Sequence, residues 1–122
     1  MIVVLTLLAG ATGAVTRFVL DASIKRRWQS PFPWATVIIN VTGSLLLGVL
    51  AGLVLFDGQP AAWQTVIGTG FCGGYTTFST ASFETVRLVQ QKRPALALLN
   101  AVGSLVLSVA ACAAGVAMAW AF

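Results

Sequence analysis

The sequence predicts an all-α integral membrane protein, and three observations lead to that fold class. The chain has 122 residues, of which 58% are hydrophobic and only 8% are charged, whereas about a quarter of the residues of a soluble domain carry a charge. The mean hydropathy is +0.94. The seven basic and three acidic residues are gathered in three places, which leaves long charge-free segments between them. A chain of this length predicts a single transmembrane domain, residues 1–122, that assembles into an oligomer.

The charge-free segments are long enough for four membrane-spanning helices. Such a helix needs about 20 mostly apolar residues, and the predicted helices cover residues 2–20, 34–56, 62–88 and 95–120. The links are short and carry residues that end or begin helices: Pro31 and Pro33, then Asp57-Gly58 with Pro60, and finally Pro94.

The basic residues also predict an orientation in the membrane. All seven Lys and Arg lie in the links 17–33 and 84–94, and none lies on the side of the termini. Short basic loops stay in the cytoplasm. We therefore expect a multi-pass protein of the cell (plasma or inner) membrane whose termini face outward.

Composition excludes several classes of function. The chain has no His, which is the commonest general base and metal ligand. Its two cysteines, Cys72 and Cys112, are far apart, so no zinc site is suggested. No nucleophile and base occur at a workable spacing, and the scattered charges form no basic stripe. We therefore predict neither an enzyme nor a nucleic-acid-binding protein.

The third predicted span has an unusual composition. Residues 68–80 contain four glycines and several threonines, which is poor material for a continuous helix. Gly68, Gly70 and Gly73 match a dinucleotide-binding fingerprint, but the strand–helix–strand unit that this fingerprint requires is missing. A broken membrane helix fits better. Non-helical backbone at membrane depth is tolerated where it is buried in protein or lines a water-filled cavity, and its carbonyls can hold a cation.

Neutral polar residues recur every four positions in two other spans, and so share one face of each helix: Thr36, Asn40 and Ser44, and then Asn100, Ser104, Ser108 and Cys112. Such residues often do no more than link helices, at about 0.6 kcal/mol each. Two such stripes that face a broken helix instead favour a pathway through the membrane, lined by these polar side chains. Amides and hydroxyls donate hydrogen bonds, and no acidic residue lies in the middle of a span, so a small anion fits the lining best.

The chain resembles the Fluc/CrcB fluoride channels over essentially its whole length. Four pieces carry the resemblance, the third of them long and unusual: residues 10–17, 37–44, 70–80 and 98–100. The resemblance implies an antiparallel (opposite-topology) dimer of four-helix subunits, with two fluoride pores and a structural sodium ion, not transported, at the centre of the dimer. It implies a fluoride-selective channel that exports cytoplasmic fluoride passively.

The resemblance also implies roles for individual residues. The fluoride pore would be lined by Asn40, Phe78, Thr80, Ser104 and Ser108. The amide of Asn40 and the electropositive ring edge of Phe78 would replace part of the water shell of fluoride.

Two further roles concern ions outside the pore. Sodium would be held by the main-chain carbonyls of Gly73 and Thr76, because a hard cation prefers oxygen ligands. Arg17 would lie in a vestibule and attract anions.

The sequence departs from the family at two positions. The second pore phenylalanine is replaced by Ala81, and a threonine of the fourth span by Cys112. Phe83 does not compensate, because it is about 200° further around the helix than Ala81. These departures keep open a non-conducting partner subunit. A small four-helix multidrug transporter is the other alternative, although that class uses a glutamate in the first span, which this chain lacks.

The one-sided distribution of Lys and Arg also bears on the partner. A homodimer of opposite topologies needs a chain that inserts both ways round, and therefore balanced basic residues on its two sides. This chain carries all seven on one side. We therefore favour a heterodimer with a homologous subunit of opposite orientation over a homodimer.

Overall fold

A computed structural model describes residues 1–121, and every regular element in that range is helical. The elements are α1 (Ile2–Arg27), α2 (Trp34–Phe56), α3 (61–75), α4 (Ser79–Gln90) and α5 (Pro94–Ala121). Helices α1, α2 and α5 are long and apolar enough to cross a membrane. The predicted all-α class is confirmed.

Helix α1 continues beyond its predicted end at residue 20. It carries the first charged cluster within its last turns and ends at Arg27. Lys25, Arg26 and Arg27 occupy the last turn, where cations interact favourably with the helix dipole, and Lys25 pairs with Asp21 at 3.1 Å. The charges mark the end of the apolar segment, but they do not end the helix.

The other two long helices begin and end close to the predicted positions. Helix α2 covers the predicted residues 34–56, and the chain then turns at Gly58, whose φ of +66° is in the left-handed region. Helix α5 begins at Pro94, which lies in its first turn, and extends one residue beyond each end of the predicted 95–120.

The third predicted span is interrupted, but later than the glycines suggested. Residues Gln64–Cys72 form a wide π-helical segment, followed by a short α-helical turn, Gly73–Tyr75. At Thr76 the backbone is extended, with φ −82° and ψ 162°, and α4 begins at Ser79. We call residues 76–78 the break.

Glycines let α3 lie directly against α1. A Cβ atom at Gly74 would overlap the carbonyl oxygen of Gly10, and one at Gly13 would overlap the carbonyl oxygen of Phe71. The two backbones are therefore in contact. In lipid, no hydrophobic effect drives apolar side chains together. Such close packing therefore supplies much of the attraction between membrane helices. The glycine-rich part of α3 stays helical and packs, and the break follows it.

Helix α2 packs against α5 in the same manner. A Cβ at Gly48 would overlap the carbonyl oxygen of Cys112, and one at Gly115 would overlap the carbonyl oxygen of Leu45. Cys112 therefore belongs to this helix contact. The outward faces carry large apolar residues; Phe18, for example, is 76% exposed. Such a surface requires lipid or a partner to cover it.

Candidate functional site

A cavity of about 780 Å³ lies between α2, α3, the break, α4 and α5. None of the described residues that line it carries a charge, and we call it the neutral cavity. Its polar lining comes from both predicted stripes and from the break, and includes Asn40, Ser44, Thr76, Asn100, Ser104 and Ser108. Phe78 and Gly73 also line it. The structure thus brings together four of the five predicted pore residues.

Asn40 holds the break in place through both ends of its carboxamide. Its Nδ2 donates to the carbonyl oxygen of Thr77 at 2.9 Å, and its Oδ1 accepts from the N–H of Thr77 at 2.8 Å. The side chain therefore pairs with extended backbone as a neighbouring β-strand would. One N–H of the amino group remains for a ligand. The sequence predicted that donor. It did not predict the two hydrogen bonds to Thr77, because they join residues that are 37 positions apart.

The break leaves several main-chain carbonyls without their usual helical partners, and those of Gly73 and Thr76 are among them. In a continuous helix the N–H groups of Thr77 and Thr80 would donate to the carbonyls of Gly73 and Thr76. Here the N–H of Thr77 donates to Asn40, and that of Thr80 donates to the hydroxyl of Thr77 at 3.2 Å. The carbonyls that the resemblance assigned to sodium, those of Gly73 and Thr76, are therefore among the released ones.

Gly73 and Thr76 suit a cation held by main-chain oxygens. The hydroxyl of Thr76 is already committed to the carbonyl of Cys72 at 2.8 Å, and Gly73 is exposed, with no atom within 4 Å of a Cβ placed on it. Residues 1–121 contain no group of three or more His, Cys, Asp or Glu arranged to hold a metal. Carbonyl oxygens are hard ligands of the type that sodium prefers.

Phe78 immediately precedes the first residue of α4, and its ring is exposed. The residue is 86% exposed and lines the neutral cavity. Ala81 lines the same cavity one turn later, where its small side chain leaves room for a ring. Phe83 is 68% exposed and is not part of the described lining. The space beside Phe78 is therefore not filled by another aromatic residue of α4.

The two serines of α5 differ in the use of their hydroxyls. Ser104 donates its hydroxyl proton to the carbonyl oxygen of Asn100, one turn earlier in the helix. To donate to an anion, Ser104 must first give up that bond. Ser108 is partly buried and lines the neutral cavity, one turn beyond Ser104.

Asn100 is a polar residue of this cavity that the sequence placed in a stripe but did not select as a site residue. It is 1% exposed. Its Nδ2 donates to Thr85 Oγ1 at 2.8 Å and lies 3.4 Å from the carbonyl oxygen of Ala81, whereas its Oδ1 has no described partner. The sequence did contain a signal for Asn100, because its amide is the most polar side chain of its stripe.

Arg17 and Thr80 lie apart from the other predicted site residues. They line a separate cavity of about 180 Å³, together with Thr36 and Asp21. Thr77 lines both cavities, so the residue held by Asn40 forms part of the wall between them. The predicted vestibule arginine is thus close to Thr80 but not to the serines of α5.

Glu84 belongs both to the predicted third span, 62–88, and to the predicted polar link, 84–94. It lies within α4, only 9% exposed, and its Oε1 accepts a hydrogen bond of 2.5 Å from the hydroxyl of Thr36. Lys25 lies 3.8 Å from its Oε2. The helix that follows the break continues to Gln90, and it carries this carboxylate into the contact between α1 and α2.

Comparison with known proteins identifies the family. Residues 4–116 match the family described as CrcB-like protein, Camphor Resistance (CrcB). The chain belongs to the CrcB family. It is 48% identical over 115 residues to the fluoride-specific ion channel FluC 1 of Leifsonia xyli subsp. xyli (strain CTCB07), which covers 94% of this chain and 84% of that relative.

Two further relatives are similar over most of their length. The fluoride-specific ion channel FluC 2 of Mycobacterium tuberculosis (strain ATCC 25618 / H37Rv) is 46% identical over 109 residues, covering 89% of this chain and 83% of that relative. The fluoride-specific ion channel FluC of Nitrobacter winogradskyi is 45% identical over 109 residues, covering 88% and 86% respectively. Membership of the CrcB family confirms the resemblance that the four sequence pieces predicted.

Proposed function

We propose that this chain is a subunit of a fluoride-selective ion channel that lets fluoride leave the cytoplasm passively and so lowers intracellular fluoride. One observation carries the proposal: the neutral cavity joins Asn40, Phe78, Ser104 and Ser108 without a charged residue in its described lining. Neutral donors can replace the water shell of a small anion without trapping it. The names of the relatives as fluoride-specific channels support the choice of ion.

The proposed subunit spans the membrane four times. Helices α3 and α4, interrupted at the break, together form the third span between α2 and α5. The break is compatible with membrane depth because its exposed backbone groups are paired with Asn40 or line the neutral cavity. The whole chain then forms a single transmembrane domain.

The functional unit is an antiparallel dimer in the cell membrane. Phe78 is 86% exposed within one chain, and a partner that covers its ring would close the neutral cavity into a pore. A structural sodium ion, not transported, binds the released carbonyls of Gly73 and Thr76 where two breaks meet. Carbonyls freed at a helix interruption are a common way to hold such an ion in a membrane protein.

The termini of this subunit face outward, and its partner is a homologous subunit of opposite orientation. The seven basic residues all lie on the opposite side from the termini, which disfavours insertion both ways round. A reporter fused to the N-terminus tests this: we expect its signal outside the cell only. Comparable signal on both faces, with fluoride flux from the single purified chain, would make a second subunit unnecessary.

A specific observation also supports a subunit that contributes unequally to the two pores. Ala81 lines the neutral cavity at the position of the second pore phenylalanine. In a heterodimer this chain would then supply a full set of lining residues to one pore. The other pore, which has Ala81 in place of a phenylalanine, would be degenerate.

Fluoride efflux from liposomes tests the proposed function directly. The chain is purified alone and after co-expression with a CrcB-family subunit of opposite charge bias, and a fluoride electrode follows release from loaded vesicles. We expect fluoride release at least about a hundredfold faster than chloride release, with no requirement for a proton gradient. Equal leak of both anions, or release only when a proton gradient is imposed, would contradict the proposal.

A further inference from the structure

The carboxamide of Asn100 has a hydrogen-bonding arrangement that the proposed pore residues do not explain. It is nearly inaccessible, at 1% exposure, yet it forms part of the wall of the neutral cavity. The amino end of the amide donates to Thr85 Oγ1 and to the carbonyl oxygen of Ala81, both on α4, and the other end, Oδ1, has no partner among the described residues. A buried polar atom without a partner is costly in a membrane protein, so a ligand or water at this atom would lower the energy.

The two orientations of the amide differ in what they offer to the cavity. In one, Nδ2 donates to Thr85 Oγ1 at 2.8 Å and to the carbonyl oxygen of Ala81 at 3.4 Å, and Oδ1 has no partner. A rotation of the group by half a turn exchanges the nearly isosteric oxygen and nitrogen. The hydroxyl of Thr85 would then donate to Oδ1, and the amino group, with two donor hydrogens, would occupy the unpartnered position.

Thr85 can supply the hydrogen that this second orientation requires. Its hydroxyl now donates to the carbonyl oxygen of Ala81 at 2.9 Å. That carbonyl lies one turn earlier in α4 and already accepts a backbone N–H in a regular helix. The rotation removes from this carbonyl both the hydroxyl of Thr85 and the longer bond from Asn100 Nδ2, and the carbonyl keeps its backbone N–H.

We propose that Asn100 is an additional fluoride-coordinating residue, oriented by Thr85, whose amino group turns toward the neutral cavity when a small anion is present. This inference rests on the proposed function and names a further donor for the same ion. An anion favours the orientation that presents N–H groups, because it accepts hydrogen bonds and is repelled by Oδ1. Without an anion, a water molecule can donate to Oδ1 and stabilise the first orientation.

Substitution of Asn100 tests the proposal by fluoride flux at equal amounts of monodisperse protein. Hydrogen bonds to a charged partner are worth about tenfold or more in an equilibrium constant, so we expect Asn100→Leu and Asn100→Asp to raise the half-saturating fluoride concentration about tenfold. Thr85→Val leaves the amide but removes its orienting partner, and we expect a smaller change in the same direction. Thr65→Val is the matched control: its hydroxyl is exposed and bonds only to Ala61 in its own helix, and flux should not change.

A spectroscopic measurement on the unsubstituted protein covers the case in which the variants fail to fold. The chain contains two asparagines, Asn40 and Asn100, so protein labelled with ¹⁵N-asparagine in lipid gives two side-chain amide signals. We expect fluoride, but not the same concentration of chloride, to shift the signal of Asn100. An unshifted Asn100 signal at saturating fluoride would overturn the proposal. So would unchanged half-saturation in folded Asn100→Leu while the wild-type chain conducts; loss of wild-type flux would instead contradict the proposed function.

Discussion

The two halves of helix α2 are stabilised in different ways. Toward its N-terminus, Thr36 and Asn40 make hydrogen bonds to α4 and to the break. Toward its C-terminus, Gly48 and Gly52 let the backbone of α5 approach until no side chain fits between them. The first half depends on the chemistry of particular groups, the second on the absence of a side chain. Substitutions in the second half should therefore affect folding, and those in the first half should affect the ion path.

The largest effect is expected for Gly48→Ala. The added methyl group would overlap the carbonyl of Cys112 and meet only backbone atoms, which cannot rotate away. Overpacking of this kind typically costs 1–3 kcal/mol, and with rigid backbone on both sides we expect about 3 kcal/mol or more. The measurement is the yield of monodisperse protein and its thermal unfolding temperature.

The same substitution at Gly103 is the matched control for Gly48→Ala. A Cβ at Gly103 meets only Leu99 Cδ1, at an ordinary contact distance of 3.6 Å. Alanine is favoured over glycine within a helix by about 0.5–1 kcal/mol, so Gly103→Ala should be neutral or slightly stabilising. Equal stability of the two variants would show that contact between α2 and α5 does not require Gly48.

The next effect is that of Asn40→Ala, which acts on the hydrogen-bonded half of α2. The substitution removes both bonds to Thr77, and each unsatisfied buried group costs about 1–3 kcal/mol. We expect fluoride flux to be nearly abolished and the protein to remain folded but less stable. Flux per folded protein is the measurement, with Asn40→Asp as the companion, since it keeps the acceptor for the Thr77 N–H but loses the donor. Flux close to wild type in either variant would limit Asn40 to a packing role.

The same difference between the halves explains what the sequence could predict. Helix bounds followed from local signals, since Pro94 and Asp57-Gly58 act on their own neighbours. The membership of Asn40, Ser104 and Ser108 in one cavity followed from helical periodicity and the resemblance. The pair of hydrogen bonds between Asn40 and Thr77 could not be predicted, because it joins residues 37 positions apart. It also depends on an extended backbone at Thr77 that only the fold defines.

One wrong helix end and one unpredicted contact both show the limits of local signals. Charges after residue 20 suggested the end of α1, but a helix tolerates charges where they can reach its surface, and α1 continues to Arg27. Glu84 lies inside the predicted span 62–88, but its burial against Thr36 was not predicted. A carboxylate can be buried when a hydroxyl and a nearby ammonium group satisfy it, and neither partner is its neighbour in the sequence.

A smaller effect is expected from sodium. Its proposed ligands are main-chain carbonyls close to Thr77, whose backbone is held by Asn40. A ligand that binds only the assembled state stabilises it by about 2.7 kcal/mol at 100 times its dissociation constant. We therefore expect the dimer to dissociate at a lower temperature in a large organic cation than in sodium. Thr76→Ser keeps the carbonyl and should respond to sodium as the wild-type chain does. Identical dissociation of the wild-type dimer in both cations would remove the sodium site.

The smallest effect on folding, and the most informative about the pore, is expected for Ala81→Phe. Ala81 lines the neutral cavity of about 780 Å³, and a phenylalanine there enters space rather than a helix contact, so stability should change by less than about 1.5 kcal/mol. The new ring lies one turn from Phe78 and would offer a second electropositive edge to an anion. We expect fluoride flux through the pore that this face lines to rise several-fold. Phe83→Ala is the control, because Phe83 lies outside the described lining and should leave flux unchanged. Unchanged flux in Ala81→Phe, with the protein folded, would show that the alanine is not what limits this pore.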